Sequence, residues 1–349
     1  MIRIYKCPSC GGVLHYRPGT DEMICPNCKN TMAISAVDQR SADGKTTGLS
    51  GKELFDNAGN GAENMVCPAC GGPLKTDEHT AATFCPYCKS PALIDSRFAG
   101  QYRPSRVLPF QFDKKEAQNK FKTWKGTGLL TPGKFKSAAT MDKVQGVYVP
   151  YWLYSYTGNV ALQGEGLNTR VTRHGDDEII ETDHYDVNRV VQEAFENVPA
   201  DASEKFPDEN MQVLEPFDFT KLVNFTMPYM AGFTADTYDY TAADLNEKVR
   251  SLVEQEMISD ARGTITEYET VNLTGSQVNY TDQRAEYVFL PIWTLVFEYM
   301  GKKYPLYMNG ETGEIDGVVP YSKLKALVIF GIAFVVFFLI ALLLGRVFS

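Results

Sequence analysis

A chain of 349 residues with 44% hydrophobic and 22% charged side chains carries enough apolar content to bury a core, which excludes an intrinsically disordered polypeptide. Its net charge of −9 opposes the non-specific nucleic-acid binding that a strongly basic composition would support.

Two copies of one pattern stand sixty residues apart near the start, CPSCGG…CPNC from Cys7 to Cys28 and CPACGG…CPYC from Cys67 to Cys88, and together they use all eight cysteines. Each copy places fourteen residues between its CxxC pairs, the length of a short hairpin joining two metal knuckles. Four thiolates can then meet one zinc ion tetrahedrally, so Cys7, Cys10, Cys25 and Cys28 form one expected ligand set and Cys67, Cys70, Cys85 and Cys88 the other. Prolines 8, 26, 68 and 86 preset the turns, and the glycines after each first knuckle allow positive φ. A redox dithiol would need a lone CxxC in a βαβ setting, and a disulfide framework would need a secretory signal, which the stretch before Cys7 does not resemble. His15 and His79 occupy non-equivalent places in the two copies and read as surface or packing residues. The expected division is ribbon 1 at 1–34, ribbon 2 at 63–97, and between them a Gly, Ser, Ala, Asp and Thr-rich tether at 35–62 that lets the ribbons move independently. Gly44-Lys45-Thr46 resembles the end of a phosphate loop but lacks its first glycine and its strand.

The body, 98–321, reads as α+β with more strand than helix. One helix starts at Asp113 with Glu116 closing a capping box, carries Ala117, Phe121 and Trp124 on one face and stops at Gly126. A second starts near Thr241 with Asp244, carries Leu245, Val249, Leu252 and Val253 on one face and runs to about Ile258. Strands are expected at 147–156, 265–273, 286–299 and 303–309. The runs VYVPYWLY and VFLPIWTL, each after a helix and 141 residues apart, suggest a duplicated helix-plus-strands module with proline at an edge or bulge. Charge is uneven: 97–145 holds eleven Lys or Arg against three acids, net +8, and 165–218 holds fifteen acids against four bases, net −11. The asymmetry suggests a contact, within the fold, with a partner or with anionic lipid headgroups. His174 and His184 are expected in a solvated acidic loop.

At the C-terminal end, Ala326 to Gly345 is twenty residues without a charge or polar side chain, about 30 Å of helix and so the depth of a bilayer core. Lys323 and Lys325 precede it, Lys302 and Lys303 lie further upstream, and Arg346 follows, a bias that puts the body on the cytoplasmic side of a C-terminal tail anchor, 322–349. No HExxH, GxSxG, strand-linked GxGxxG or complete phosphate loop is present, and no cysteine is left over as a nucleophile, so an enzyme is not expected.

The two ribbons, FENVPADASEKFPDENMQVLEPFDF (195–219), YMAGFTADTYDY (229–240), LPIWTLVFEYMGKKYPLYMNGETGEIDG (290–317) and the terminal span together resemble the tail-anchored double zinc-ribbon membrane proteins of Gram-positive bacteria, whose ribbons are called transcription-factor-IIB type. That resemblance implies association with phage-shock protein A and an SPFH (flotillin-like) protein in the envelope stress response. The sequence therefore reads as a non-enzymatic membrane adaptor with two structural zinc ions, and it leaves the oligomeric state open. A membrane-tethered regulator that binds nucleic acid through its ribbons is the alternative.

Overall fold

The computed structural model describes residues 2–42, 65–124, 126–175 and 177–347. Strand β1 (Ile2–Arg3) leads into the first cysteine turn, β2 (His15–Arg17), β3 (Glu22–Ile24) and β4 (Thr31–Ala33) form a small antiparallel sheet, and α1 (Ile34–Ala42) follows without a break. Ser35 to Ala42, expected as tether, is thus helix, and it is held because Ile34 and Val37 are buried in the main core. The rest of the expected tether and the Gly44-Lys45-Thr46 fragment lie outside the described residues. The second ribbon carries β5 (Thr80–Phe84) and β6 (Pro91–Ile94).

The body contributes β7 (Arg106–Val107), α2 (Lys114–Thr123), the short α3 (Ala138–Met141), β8 (Gln145–His174), β9 (Asp177–Asp201), α4 (Asp208–Val213), β10 (Val223–Asn224), β11 (Thr234–Asp236), α5 (Ala242–Gly263), β12 (Thr270–Tyr299), β13 (Lys302–Asn309) and β14 (Ile315–Gly317). Helix α6 (Lys323–Val347) ends the described chain. One large sheet runs in the order β1-β6-β5-β11-β8-β12-β13-β14, with β9 on β8, and β7 on β12 and β10.

Both capping boxes form as the sequence predicts, at Asp113 with Glu116 and at Thr241 with Asp244. Helix α5 extends past Ile258, and its buried line is Val249, Val253, Met257 and Ala261, a four-residue spacing that turns Leu252 outward to 53% exposure. Of the segment 265–273, expected as a strand, only 270–273 is strand, and it runs on through the residues that follow into the expected strand 286–299 as one 30-residue strand beginning at Thr270; β9 was not expected. Strands β8, β9 and β12 extend together as an arm, with α5 packed along one face against Tyr154, Tyr156, Val160, Leu162 and Val187. Beyond Leu167, where β12 begins, β8 and β9 continue as a two-stranded hairpin. His174 and His184 therefore lie on paired strands and not in a loop, with His184 Nδ1 2.8 Å from Glu165 Oε1.

Pairing around the middle of β8 and β12 repeats itself. Strand β11 runs parallel to β8 at Val147 and Tyr148, and β7 runs parallel to β12 at Val288 and Phe289. Strand β9 joins β8 from Tyr151, and β13 joins β12 from Ile292. Pro150 and Pro291 fall in the two gaps where one outer partner leaves and the next joins, so their missing N–H groups cost no ladder bond. No bulge interrupts either proline. Trp152 packs on Tyr238 at 5.4 Å and Trp293 on Phe110 at 5.0 Å, the matching contact in each half.

The ribbons are part of this assembly and do not hang from it. β1 pairs with β6, Ile2 opposite Ile94, so the first ribbon's leading strand completes the second ribbon's sheet. β5 pairs with β11 of the body. Tyr16 sits in the same apolar cluster as Phe110, Phe233 and Trp293, with its ring 5.1 Å from that of Tyr229. The expected independent motion of the ribbons is overturned by these shared strands and this shared core.

Candidate metal centres

Each tetrad is built from two tight turns of the same form. In the first ribbon, Gly11 N–H donates to Cys7 O at 2.9 Å and Lys29 N–H to Cys25 O at 2.9 Å; in the second, Gly71 and Lys89 repeat this on Cys67 and Cys85. The turn-closing residues all have left-handed backbone, with φ of 73° at Gly11 and Gly71, 62° at Lys29 and 60° at Lys89. Glycine was foreseen there for the first knuckle, whereas the second knuckle places lysine in the same conformation. The second glycine of each pair serves close packing instead. A Cβ on Gly12 would stand 2.6 Å from the Asn27 side chain and 3.3 Å from Cys25 Sγ, and on Gly72 it would stand 2.7 Å from the Tyr87 ring.

These turns bring Cys7, Cys10, Cys25 and Cys28 together, and likewise Cys67, Cys70, Cys85 and Cys88, each set with all sulfurs within 4.8 Å of one another. Cross-knuckle sulfur pairs lie at 3.6 Å (Cys7–Cys28), 3.5 Å (Cys10–Cys25), 3.7 Å (Cys67–Cys88) and 3.6 Å (Cys70–Cys85). A disulfide requires about 2.05 Å, and no cysteine forms one. A tetrahedron with metal–sulfur bonds of about 2.3 Å has edges of about 3.8 Å, so either set could hold a metal ion. Both sets put their first and third cysteines in the interior and the other two at the surface. Desolvation raises the Cys7 thiol, but N–H groups of Ser9 and Cys10 outweigh it and bring it down to about 6. The Ser90 hydroxyl and N–H do the same for Cys88, also to about 6. Such donors favour the thiolate at these two positions, whereas desolvation and then the neighbouring thiols push Cys67 up. At Cys28 and Cys70 the N–H groups of Asn30 and Gly72 pull down, but thiols of the same tetrads push both up.

The two centres are held against the body by named contacts. Tyr16 N–H donates to Ala231 O at 2.7 Å and Gly19 N–H to Phe110 O at 2.8 Å. On the second ribbon, Thr237 N–H donates to His79 O at 2.7 Å, and His79 Nδ1 lies 3.3 Å from Asp239. His79 and the partly buried His15 are thus packing residues, as the sequence suggests, and burial pushes His15 down. Lys205 bridges Asp77 at 3.2 Å and Asp236 at 2.9 Å. Desolvation raises Asp77, and hydrogen bonds from Thr80 and Lys205 more than reverse this, to about 2. A cleft of about 630 Å³ lies where the two ribbons meet the body, lined by His15, Tyr16, Phe84, Lys89, Phe233 and Trp293 among others. The sequence offered no sign of it, because its walls come from segments far apart in the chain.

At the C-terminal end of the described chain, Lys323–Leu342 within α6 has a mean hydropathy of 2.8 and none of it is buried. The helix is long and apolar enough to cross a membrane. Ser322 caps it, accepting from Lys325 N–H at 3.3 Å, and tethers it to the body by donating its own N–H to Leu130 O at 2.8 Å.

No protein-family model matches the chain. No solved structure matches it. A protein of Bacillus subtilis (strain 168) called "Uncharacterized protein YdjG" is 30% identical over 349 residues, which span 99% of each chain. With that identity running the length of both proteins, the chain belongs to the YdjG family.

Proposed function

We propose that the chain is a non-enzymatic adaptor, anchored in the cell membrane by α6, that recruits cytosolic proteins to the inner face of the bilayer in the envelope stress response. The observation that carries this reading is the uncovered apolar helix at the end of an otherwise packed body. A helix apolar on every face needs lipid or a protein shell around it, and the body covers none of the span. The flanking lysines 323 and 325 favour a cytoplasmic body.

Zinc is the ion proposed for both tetrads. Four thiolates leave no open coordination position, so the ions would act in folding and not in chemistry. With all eight cysteines in the tetrads there is no thiol nucleophile, which supports the non-enzymatic reading. Phage-shock protein A and an SPFH protein are the partners proposed from the sequence resemblance. The repeated strand registers and the matched Trp152 and Trp293 contacts support reading the body as a duplicated module, with β7-α2-β8-β9 and β11-α5-β12-β13 as the two copies.

The anchoring reading is tested by imaging fluorescent phage-shock protein A in cells that carry the full chain or a version lacking residues 324–349. Membrane foci that become diffuse with the truncated chain are expected. Foci that persist with the truncated chain would contradict the adaptor role.

A further inference from the structure

The end of the body from which α6 departs has a character that the fold itself does not require. The loop at 126–133 is bonded to the helix start through Ser322 N–H to Leu130 O at 2.8 Å and through Lys325 Nζ to Thr131 O at 2.7 Å. It nevertheless presents Leu129 at 77% exposure. The segment that follows turns back into the core at Phe135, whose ring packs on Phe297 of β12 at 5.2 Å. Phe297 lies on the stretch of β12 that leads into the β12–β13 turn, Met300-Gly301, so Phe135 ties the segment after the loop to the strand that carries this turn.

Met300 is the informative residue. It has a φ of 51° and is 75% exposed. A left-handed turn position suits Gly, Asn or Asp, and a long apolar side chain held there in water is disfavoured twice over. Val318 and Tyr321, on the approach to α6, are 72% and 62% exposed. Around these apolar tips lie Lys134 and Lys136 beside the loop, Lys302 and Lys303 beside the turn, and Lys323 at the helix start, all exposed. Glu298, the acid on the same hairpin, is matched by Lys143 at 3.9 Å.

We infer that this base is a second membrane contact, in which Leu129 and Met300 enter the interfacial layer of the bilayer that α6 spans and the surrounding lysines bind anionic phospholipid headgroups. The inference rests on the membrane reading of α6 and adds that the body is seated on the lipid. Apolar tips ringed by lysine are what an interfacial site needs, since the alkyl groups gain from leaving water while the ammonium groups stay at headgroup level. Such seating would fix the direction in which the arm of β8, β9 and β12 points.

The experiment places photoreactive benzoylphenylalanine at Leu129, at Met300 or at Phe334 of α6 in the full chain. Each protein is reconstituted into vesicles of phosphatidylethanolamine with phosphatidylglycerol, or of phosphatidylcholine alone. Lipid adducts are expected at all three positions in the anionic vesicles. Those at Leu129 and Met300 should fall at least about five-fold in phosphatidylcholine, or when Lys134, Lys136, Lys302 and Lys303 are all exchanged for Gln, while that at Phe334 stays constant. Adducts at Phe334 but not at Leu129 and Met300, or adducts at those two that ignore lipid charge and lysine exchange, would overturn the seating and leave the anchor intact. Crosslinking at Leu129 to added duplex DNA in place of lipid would also overturn it. Absence of lipid adducts at Phe334 would defeat the membrane reading itself.

Discussion

Glu215 shows how one side chain can report on its packing. It lies beside Met211 and the α5 residues Leu245 and Val249, and burial pushes its carboxyl from the ordinary 4.5 up to about 7. Between those two values the folded chain holds a proton that the unfolded chain has released. Stability therefore falls as pH rises through that window and stays reduced above it. Glu215→Gln cannot ionise, so it should raise the melting temperature at pH 8 and change it little at pH 4. A melting curve whose pH dependence is the same in both proteins would contradict the assigned burial. The cysteines, by contrast, were legible from spacing alone, because a CxxC pair fixes its own turn and needs only one matching pair to complete a tetrahedron. Glu215 was not legible, since its environment is made by α4, the strand end at Pro199 and Ala200, and α5, which meet only in the folded chain.

Among the elements, the caps and the two body helices could be read because capping boxes and apolar spacing are local signals. The long strands could not. β9 and the outer part of β8 are exposed on both faces near the tip, so the alternation that marks a half-buried strand is missing there. Their pairing depends instead on cross-strand fit. Gly164 is the tightest point, because a Cβ there would stand 2.4 Å from the carbonyl oxygen of Asn272 and 2.9 Å from the Leu273 Cα on the neighbouring strand. Gly164→Ala should cost about 1–3 kcal/mol by forcing β8 and β12 apart. Gly72→Ala should cost much less, because its Cβ meets the Tyr87 side chain, which is 67% exposed and free to rotate away. Denaturant unfolding of the two variants checks this, and equal losses would contradict the backbone origin of the constraint.

Over the whole molecule, two cysteine tetrads, a mixed α+β body and a terminal apolar helix are legible in the sequence, but it suggests a tethered arrangement where the chain forms a continuous one. The pairing of β1 with β6 and of β5 with β11 joins residues whose separation in sequence hides the contact. This changes what loss of a metal centre would do. In a tethered ribbon, Cys67→Ser with Cys70→Ser would leave the body's unfolding untouched. In the continuous sheet it should lower the body's melting temperature by about 10 °C or more, because β5, β6 and their partner strands lose their support together. Calorimetry separates the two cases. The exposed lysines 134, 136 and 323 flank the loop and the helix start that are bonded together through Leu130 and Ser322, and the exposed hairpin of β8 and β9 carries Glu178, Glu181 and Asp183, with Arg173 beside Glu178 and Arg170 beside Asp183. Lysines beside the start of α6, with a net-acidic segment at 165–218, would suit the proposed adaptor better than a reader of phosphate backbones. The measurement that tests this most directly is crosslinking in living cells followed by detergent extraction and mass spectrometry of what copurifies. Recovery of phage-shock protein A or an SPFH protein from the membrane fraction with the full chain, and its loss on removal of residues 324–349, is the predicted result. Recovery of RNA polymerase, replication proteins or nucleic acid in their place would contradict the account.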